Sequence, residues 1–207
     1  MPAAPGVLIR PYRAADRAAL YDICLRTGLA GGDASGHYED PDLLPSLFAG
    51  PYAALDPELV FVADSGERPI GYIVGTADSV AYYEAFRRHW LPALTGRFPE
   101  PSGPPRTPDE EMRSLLHHPE RMLVPEIAER YPAHLHIDLL PEGQGRGLGT
   151  RLMHTFWGAL RERGVPGVHL GMSPENTRAR LFYDRLGFTE LLPVSEDSPT
   201  VYLGRLL

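Results

Sequence analysis

The chain contains no lysine: all 20 of its basic residues are arginine. That excludes an ATP-binding Walker loop, which ends in Gly-Lys-Ser/Thr. Cysteine is almost as scarce. Cys24 stands alone, so neither an intrachain disulfide nor a multi-cysteine metal site can form, and its neighbours Ile23 and Leu25 predict a buried core thiol. No apolar run approaches the roughly 18 residues of a membrane span, and Met1 to Arg10 lacks a basic segment followed by an apolar core. A soluble, cytoplasmic protein is expected. The net charge of −7 argues against general nucleic-acid binding. With 207 residues and 43% hydrophobic content, one well-buried domain over 1–207 is the default.

What the chain does have is Gln144-Gly145-Arg146-Gly147-Leu148-Gly149, placed between the apolar-rich run His134 to Leu140 and an amphipathic pattern opening at Leu148. A strand that feeds a glycine-rich turn opening a helix is a phosphate cradle, because converging N–H groups and the helix dipole favour an anion. The glycines read G-x-G-x-G, not the G-x-G-x-x-G of a dinucleotide fold. The next strand, Val168 to Met172, also lacks the acidic residue such a fold places on a ribose.

Hydrophobic periodicity orders the rest. A strand at Val7 to Arg10 precedes a helix from about Asp16 to Arg26, with a short helix near Leu43 to Phe48. Leu59 to Ala63 and Ile70 to Val74 form a hairpin. The segment from Ala81 to Tyr131 carries helical pieces at Tyr82 to Leu94 and Pro108 to His117 and reads as an insertion before the fourth strand. Helix Leu148 to Arg163 buries Leu148, Leu152, Met153, Phe156 and Leu160. A further helix, Pro174 to Leu186, is predicted to be capped by Ser173 with Asn176 in its first turn. Terminal strands are expected near Phe188 to Pro193 and Thr200 to Leu203.

Gln144-x-x-Gly147-x-Gly149 resembles the acetyl-CoA pyrophosphate loop of the GNAT N-acetyltransferase superfamily. Asn176, followed by Tyr183 and Gly187-Phe188, resembles that family's second signature. The wording around Gly167 to Leu170 and Tyr202 to Leu207 is similar to the acetyltransferase-like C-terminal domain of O-GlcNAcase and its free-standing bacterial relatives. The resemblance implies an α/β (α+β) single-domain GNAT fold, with helices on both faces of a mixed sheet that splays between its fourth and fifth strands. It implies an N-acetyltransferase moving an acetyl group from acetyl-CoA directly to a primary amine, without a metal. The alternative is an acetyl-CoA-binding sensor or interaction module without efficient catalysis.

The same resemblance implies a site. Pantetheine would pair near Leu139 and Leu140, and the pyrophosphate would take the amides of Gln144, Gly145, Arg146, Gly147, Leu148, Gly149 and Thr150, with Arg146 as added charge. Asn176 and Ala179 would line the coenzyme, and Tyr183 would protonate the departing thiolate. Arg178 and Arg180 could reach an adenosine phosphate. Period-2 alternation puts His134, His136 and Asp138 on one strand face and Leu135, Ile137 and Leu139 on the other. The family's usual base positions fall on the leucine face unless a bulge swaps the two. Asp138 is the first candidate base, since a carboxylate there is costly to bury, and His136 is the second. His134-x-His136 and His117-His118 lack the further ligands a zinc site needs. The insertion, with Asp78 and Tyr82, is expected to wall the amine pocket.

Overall fold

The computed structural model describes residues 6–192 and 200–207. Within these residues seven strands form one sheet: β1 (Leu8–Pro11), β2 (Phe61–Asp64), β3 (Pro69–Thr76), β4 (Ala133–Leu139), β5 (Gly167–Met172), β6 (Thr189–Leu192) and β7 (Val201–Leu206), in the order β1-β2-β3-β4-β5-β7-β6. All neighbours are antiparallel except β4 and β5. That parallel pair is in register only at Ala133–Val168 and His134–His169, after which the strands part. The expected splay is therefore present. Pro193, where the sixth strand was expected to end, lies outside the described residues.

Among the described residues, eight α-helices clothe the sheet: α1 (Arg17–Thr27), α2 (Leu43–Phe48), α3 (Gly50–Leu55), α4 (Ser79–Ala85), α5 (Pro108–His117), α6 (Pro125–Arg130), α7 (Leu148–Glu162) and α8 (Thr177–Arg185). Helix α7 is amphipathic as its sequence reads. Leu152, Met153, Phe156 and Leu160 are fully buried and join Leu135, Ile73 and Leu203 in the core on one sheet face. The opposite face is covered by α1 to α5, where Leu20, Ile23 and Leu47 pack with Tyr52, Tyr72, Phe86 and Leu116. Cys24 lies in this second core, and burial pushes its thiol pKa up.

The segment between β3 and β4 is more helical than its sequence suggests. After α4 the chain continues as a π-turn, Phe86–Trp90, and α6 follows α5. Sequence reading misses α3 and α6 because each is a single six-residue element behind proline, too short for a helical period to register. Helix α8 starts later than predicted. Ser173 instead accepts from the Glu175 amide in a turn, and Asn176 is the N-cap, its Oδ1 accepting the Ala179 N–H at 3.0 Å. Among the described residues, no helix is long and apolar enough to cross a membrane.

Candidate functional site

Because β4 and β5 separate after two residue pairs, the backbone edge of β4 from Leu135 to Leu139 faces a gap. A cleft of about 820 Å³ lies along it. One wall is Ile137, Asp138 and Leu139 of β4, the mouth is the 143–150 loop, and α8 forms the other side with Asn176, Ala179, Phe182 and Tyr183. The end of α1 and its following loop, Thr27, Ala30 and Gly31, closes the remaining side.

The glycine loop is built as its sequence implies. Gly145 and Gly147 hold φ of +71° and +73°, a left-handed backbone that other residues rarely adopt, and Gly147 is the N-cap of α7. Gly149 has a different task. A Cβ there would sit 3.1 Å from the Phe182 ring, so this glycine lets α7 approach α8. The first-turn amides of α7 have no partner within the helix and face the cleft mouth.

Several assigned roles change. Arg146 turns away: its guanidinium donates to the Glu142 carbonyl, and it does not line the cleft. The cations that do are Arg178 and Arg185. Arg178 donates to Gln144 Oε1 at 2.5 Å, while Gln144 Nε2 donates to the Leu139 carbonyl at 2.7 Å, so one glutamine ties α8 to the edge of β4. Arg180 is held by Asp184 and Glu190 instead. Leu140 cannot offer its backbone to a ligand. Its N–H donates to Ile70, its carbonyl accepts from Gly143, and the side chain is fully buried in the second core. Asn176 lines the cleft, but Oδ1 is spent on the helix cap, which leaves only Nδ2, turned toward Gly31, as a donor.

Strand β4 pairs with β3 in unbroken register from His134 to Leu139, so no bulge exchanges its faces. Asp138 lies opposite Tyr72, whose hydroxyl donates to Oδ2 at 2.6 Å. Burial raises the carboxyl pKa to about 6, against the lowering effect of the Tyr72 and Thr27 hydroxyls. Across the cleft, Tyr183 is 7% exposed. Burial first, and the charge of Asp138 second, push its phenol pKa upward, so it stays protonated throughout the neutral range. Asp138 and Tyr183 thus present a carboxylate that titrates near neutrality and a phenol that does not.

His134 and His136 share the Asp138 face but lie deeper, and burial lowers the pKa of both, that of His136 to about 4. Tyr52 of α3 sits between them, 2.8 Å from His134 Nε2 and 3.1 Å from His136 Nε2. The expected acceptor residues do not reach the cleft. The Asp78 carboxylate caps α4 by accepting from Ala81, and Tyr82 is 4% exposed, stacked on Tyr52. The insertion is part of the second core, and the loop after α1 lines the cleft instead. In that loop Ala30 holds φ of +50°, strained for a residue with a Cβ. The sequence marks 28–36 only as a glycine-containing loop, so nothing local pointed to it. His117 and His118 bond to the Phe98 carbonyl and Glu100, and no group of three or more metal-ligating side chains exists among the described residues.

Comparison with known proteins is consistent with this geometry. The model of the acetyltransferase (GNAT) family matches residues 20–188. The crystal structure of SsHAT is 56% identical, with a TM-score of 0.93 and coverage of 98% of both chains. Protein O-GlcNAcase of Rattus norvegicus is 26% identical over 96% of this chain, which spans 22% of that protein's length. Mycothiol acetyltransferase of Beutenbergia cavernae is 49% identical over 49 residues, 24% of this chain and 16% of its own. The fold is shared with yncA of Salmonella typhimurium, solved with its cofactor acetyl-CoA, at 14% identity and a TM-score of 0.57 over 97% of this chain and 94% of that one.

Proposed function

Since the chain belongs to the GNAT acetyltransferase family, whose chemistry is acetyl transfer, we propose that it is an acetyl-CoA-dependent N-acetyltransferase acting on a primary amine by direct transfer. The observation that carries this reading is the pairing of Asp138 and Tyr183 across the gap where β4 leaves β5. The glycine cradle stands at one end of that same gap.

In this reading the α7 N-terminal amides take the pyrophosphate, and Arg178, released from Gln144, supplies a charge-assisted bond to a phosphate. The Leu139 carbonyl, freed by the same movement of Gln144, becomes available to a pantetheine amide. The thioester then lies in the gap beside Asp138. The carboxylate takes a proton from the incoming amine as its nitrogen forms the new C–N bond. Tyr183 delivers a proton to the sulfur as the C–S bond breaks, which regenerates a thiol and an amide. A carboxyl with pKa about 6 is ionised at neutral pH yet close enough to it to accept a proton, and a phenol kept protonated by burial is suited to donation. Bringing the two reactants together supplies much of the remaining acceleration.

The test is thiol release from acetyl-CoA over a panel of amines, with binding measured separately by calorimetry. Tyr183→Phe is expected to bind acetyl-CoA as wild type does while turnover falls by roughly 10²-fold. Binding without release on any amine would assign the chain to the alternative, a coenzyme-binding module.

A further inference from the structure

Tyr72 is fully buried in the second core with Leu20, Ile23 and its cross-strand neighbour Val62. Phenylalanine would fill that apolar space as well, and a hydroxyl carried into it without a partner is destabilising, so the partner accounts for the tyrosine. That partner is Asp138, directly opposite across the antiparallel β3–β4 pair, with Oδ2 2.6 Å from the Tyr72 oxygen. Acidity sets the direction of the bond. Burial holds the phenol well above its ordinary range while the carboxyl titrates at about 6, so the proton between these oxygens belongs to Tyr72, and above pH 6 it is donated to an ionised acceptor. The second carboxyl oxygen is placed differently. Oδ1 carries no hydrogen bond among the described residues: Thr27, the lesser of the two hydroxyls acting on the carboxyl, gives its proton to the Ile23 carbonyl at 2.7 Å. Oδ1 is also not among the buried unpartnered atoms, so it is accessible, and both Asp138 and Thr27 line the cleft.

We infer that Tyr72 is a positioning residue for the base: it occupies Oδ2 and stabilises the ionised carboxylate, which leaves Oδ1 as the oxygen that takes the proton of the amine. This rests on the reading that Asp138 is the base of an acetyl transfer. The titratable groups that face Asp138 are Tyr72 from β3, Cys24 from α1 and Tyr183 from α8, with His136 next along the same face of β4. Among the described residues Tyr72 alone of these donates a hydrogen bond to the carboxyl. Its loss therefore acts in one direction, because burial already disfavours the charged form and a donor that opposes burial is removed.

Carboxyl carbon NMR on protein labelled at aspartate Cγ tests the bond without any acceptor, the Asp138→Asn spectrum serving to identify the signal. Tyr72→Phe keeps the ring and removes only the hydroxyl. Its Asp138 midpoint is expected to lie about one pH unit or more above that of wild type, the worth of a hydrogen bond to a charged group. An unmoved or lowered midpoint overturns the inference. Should the variant not fold, the Tyr72 hydroxyl proton of wild type is read instead: it is expected to exchange slowly and to shift as Asp138 titrates, and a resonance blind to that titration overturns the inference equally. Turnover separates the inference from the reading beneath it. With acetyl-CoA and propylamine, or the best acceptor of the amine panel, kcat/KM of Tyr72→Phe relative to wild type is expected to be down about fivefold or more at pH 6 and to recover to within about twofold by pH 9. A loss that is equal at every pH is the mark of a merely structural tyrosine and overturns the inference. A midpoint that moves while the acid limb of kcat/KM stays in place removes Asp138 as the base and leaves the bond intact. Absence of turnover by wild type on every amine overturns the proposed function, and with it the catalytic part of the inference.

Discussion

A carboxylate and a phenol face each other because two strands part beneath them, and their opposite protonation at neutral pH follows from their ordinary acidities, which burial shifts upward in both without reversing their order. Asp138 has a raised pKa, about 6 against an ordinary 3.8, so folding favours its protonated form. The stability this gives is complete below the unfolded value and is lost as pH rises through about 6. Asp138→Asn is therefore expected to match wild type in stability near pH 4 and to exceed it at pH 8, by at most about 3 kcal/mol, in urea titrations. The catalytic consequence runs the other way: kcat/KM should fall on the acid side of pH 6 in wild type, and turnover should drop by roughly 10²-fold in the variant. A flat acid limb would remove Asp138 as the base. The sequence singles out Asp138 because strand alternation and the cost of burying charge are local arguments. Tyr72 and Tyr52, which hold the polar residues of β4 in place, come from positions 66 and 82 residues away, and no local pattern marks them.

At the scale of elements, the glycine loop and the helix α7 that it opens, with α8 after the next strand, are the most legible part of the chain. Glycine spacing, the apolar stripe of α7 and the order of the two signatures are all read along a short stretch of backbone. What escapes is the direction of flexible exposed side chains. Arg146 and Arg178 are equally basic in the sequence, yet Arg146 folds back onto Glu142 while Arg178 reaches across the cleft to Gln144. Two substitutions separate their roles. Arg178→Ala is expected to weaken acetyl-CoA binding by several-fold to tenfold, the worth of a partly exposed charge-assisted bond, and Arg146→Ala by less than about twofold. Calorimetry giving the reverse order would return the phosphate to Arg146. Gly147→Asp places a side chain on a left-handed residue and a negative charge at the helix N-terminus. It should abolish measurable binding, and wild-type affinity would show that the pyrophosphate lies elsewhere.

For the whole molecule, the sheet divides two cores with different tasks. The α7 and α8 side carries the cradle, and the α1 to α5 side supports the polar face of β4 from behind. A lid is a reasonable expectation for a long excursion before the fourth strand, because such segments in compact domains are often functional. The expectation fails on packing: Phe86 and Leu116 are fully buried, Tyr82 stacks on Tyr52, and the excursion is the rear wall of the second core. Sequence could not distinguish these outcomes, since aromatic residues suit a ligand cleft and a core equally well. Stability can. Phe86→Ala is expected to cost about 3–5 kcal/mol, as large-to-small changes in a closed core do, with acetyl-CoA affinity of the folded fraction unchanged. A lid residue would behave oppositely, changing the amine KM while the melting temperature held. Denaturant titration and calorimetry on the same preparation decide between them, and an unshifted denaturation midpoint for Phe86→Ala would restore the excursion as a mobile cover over the gap.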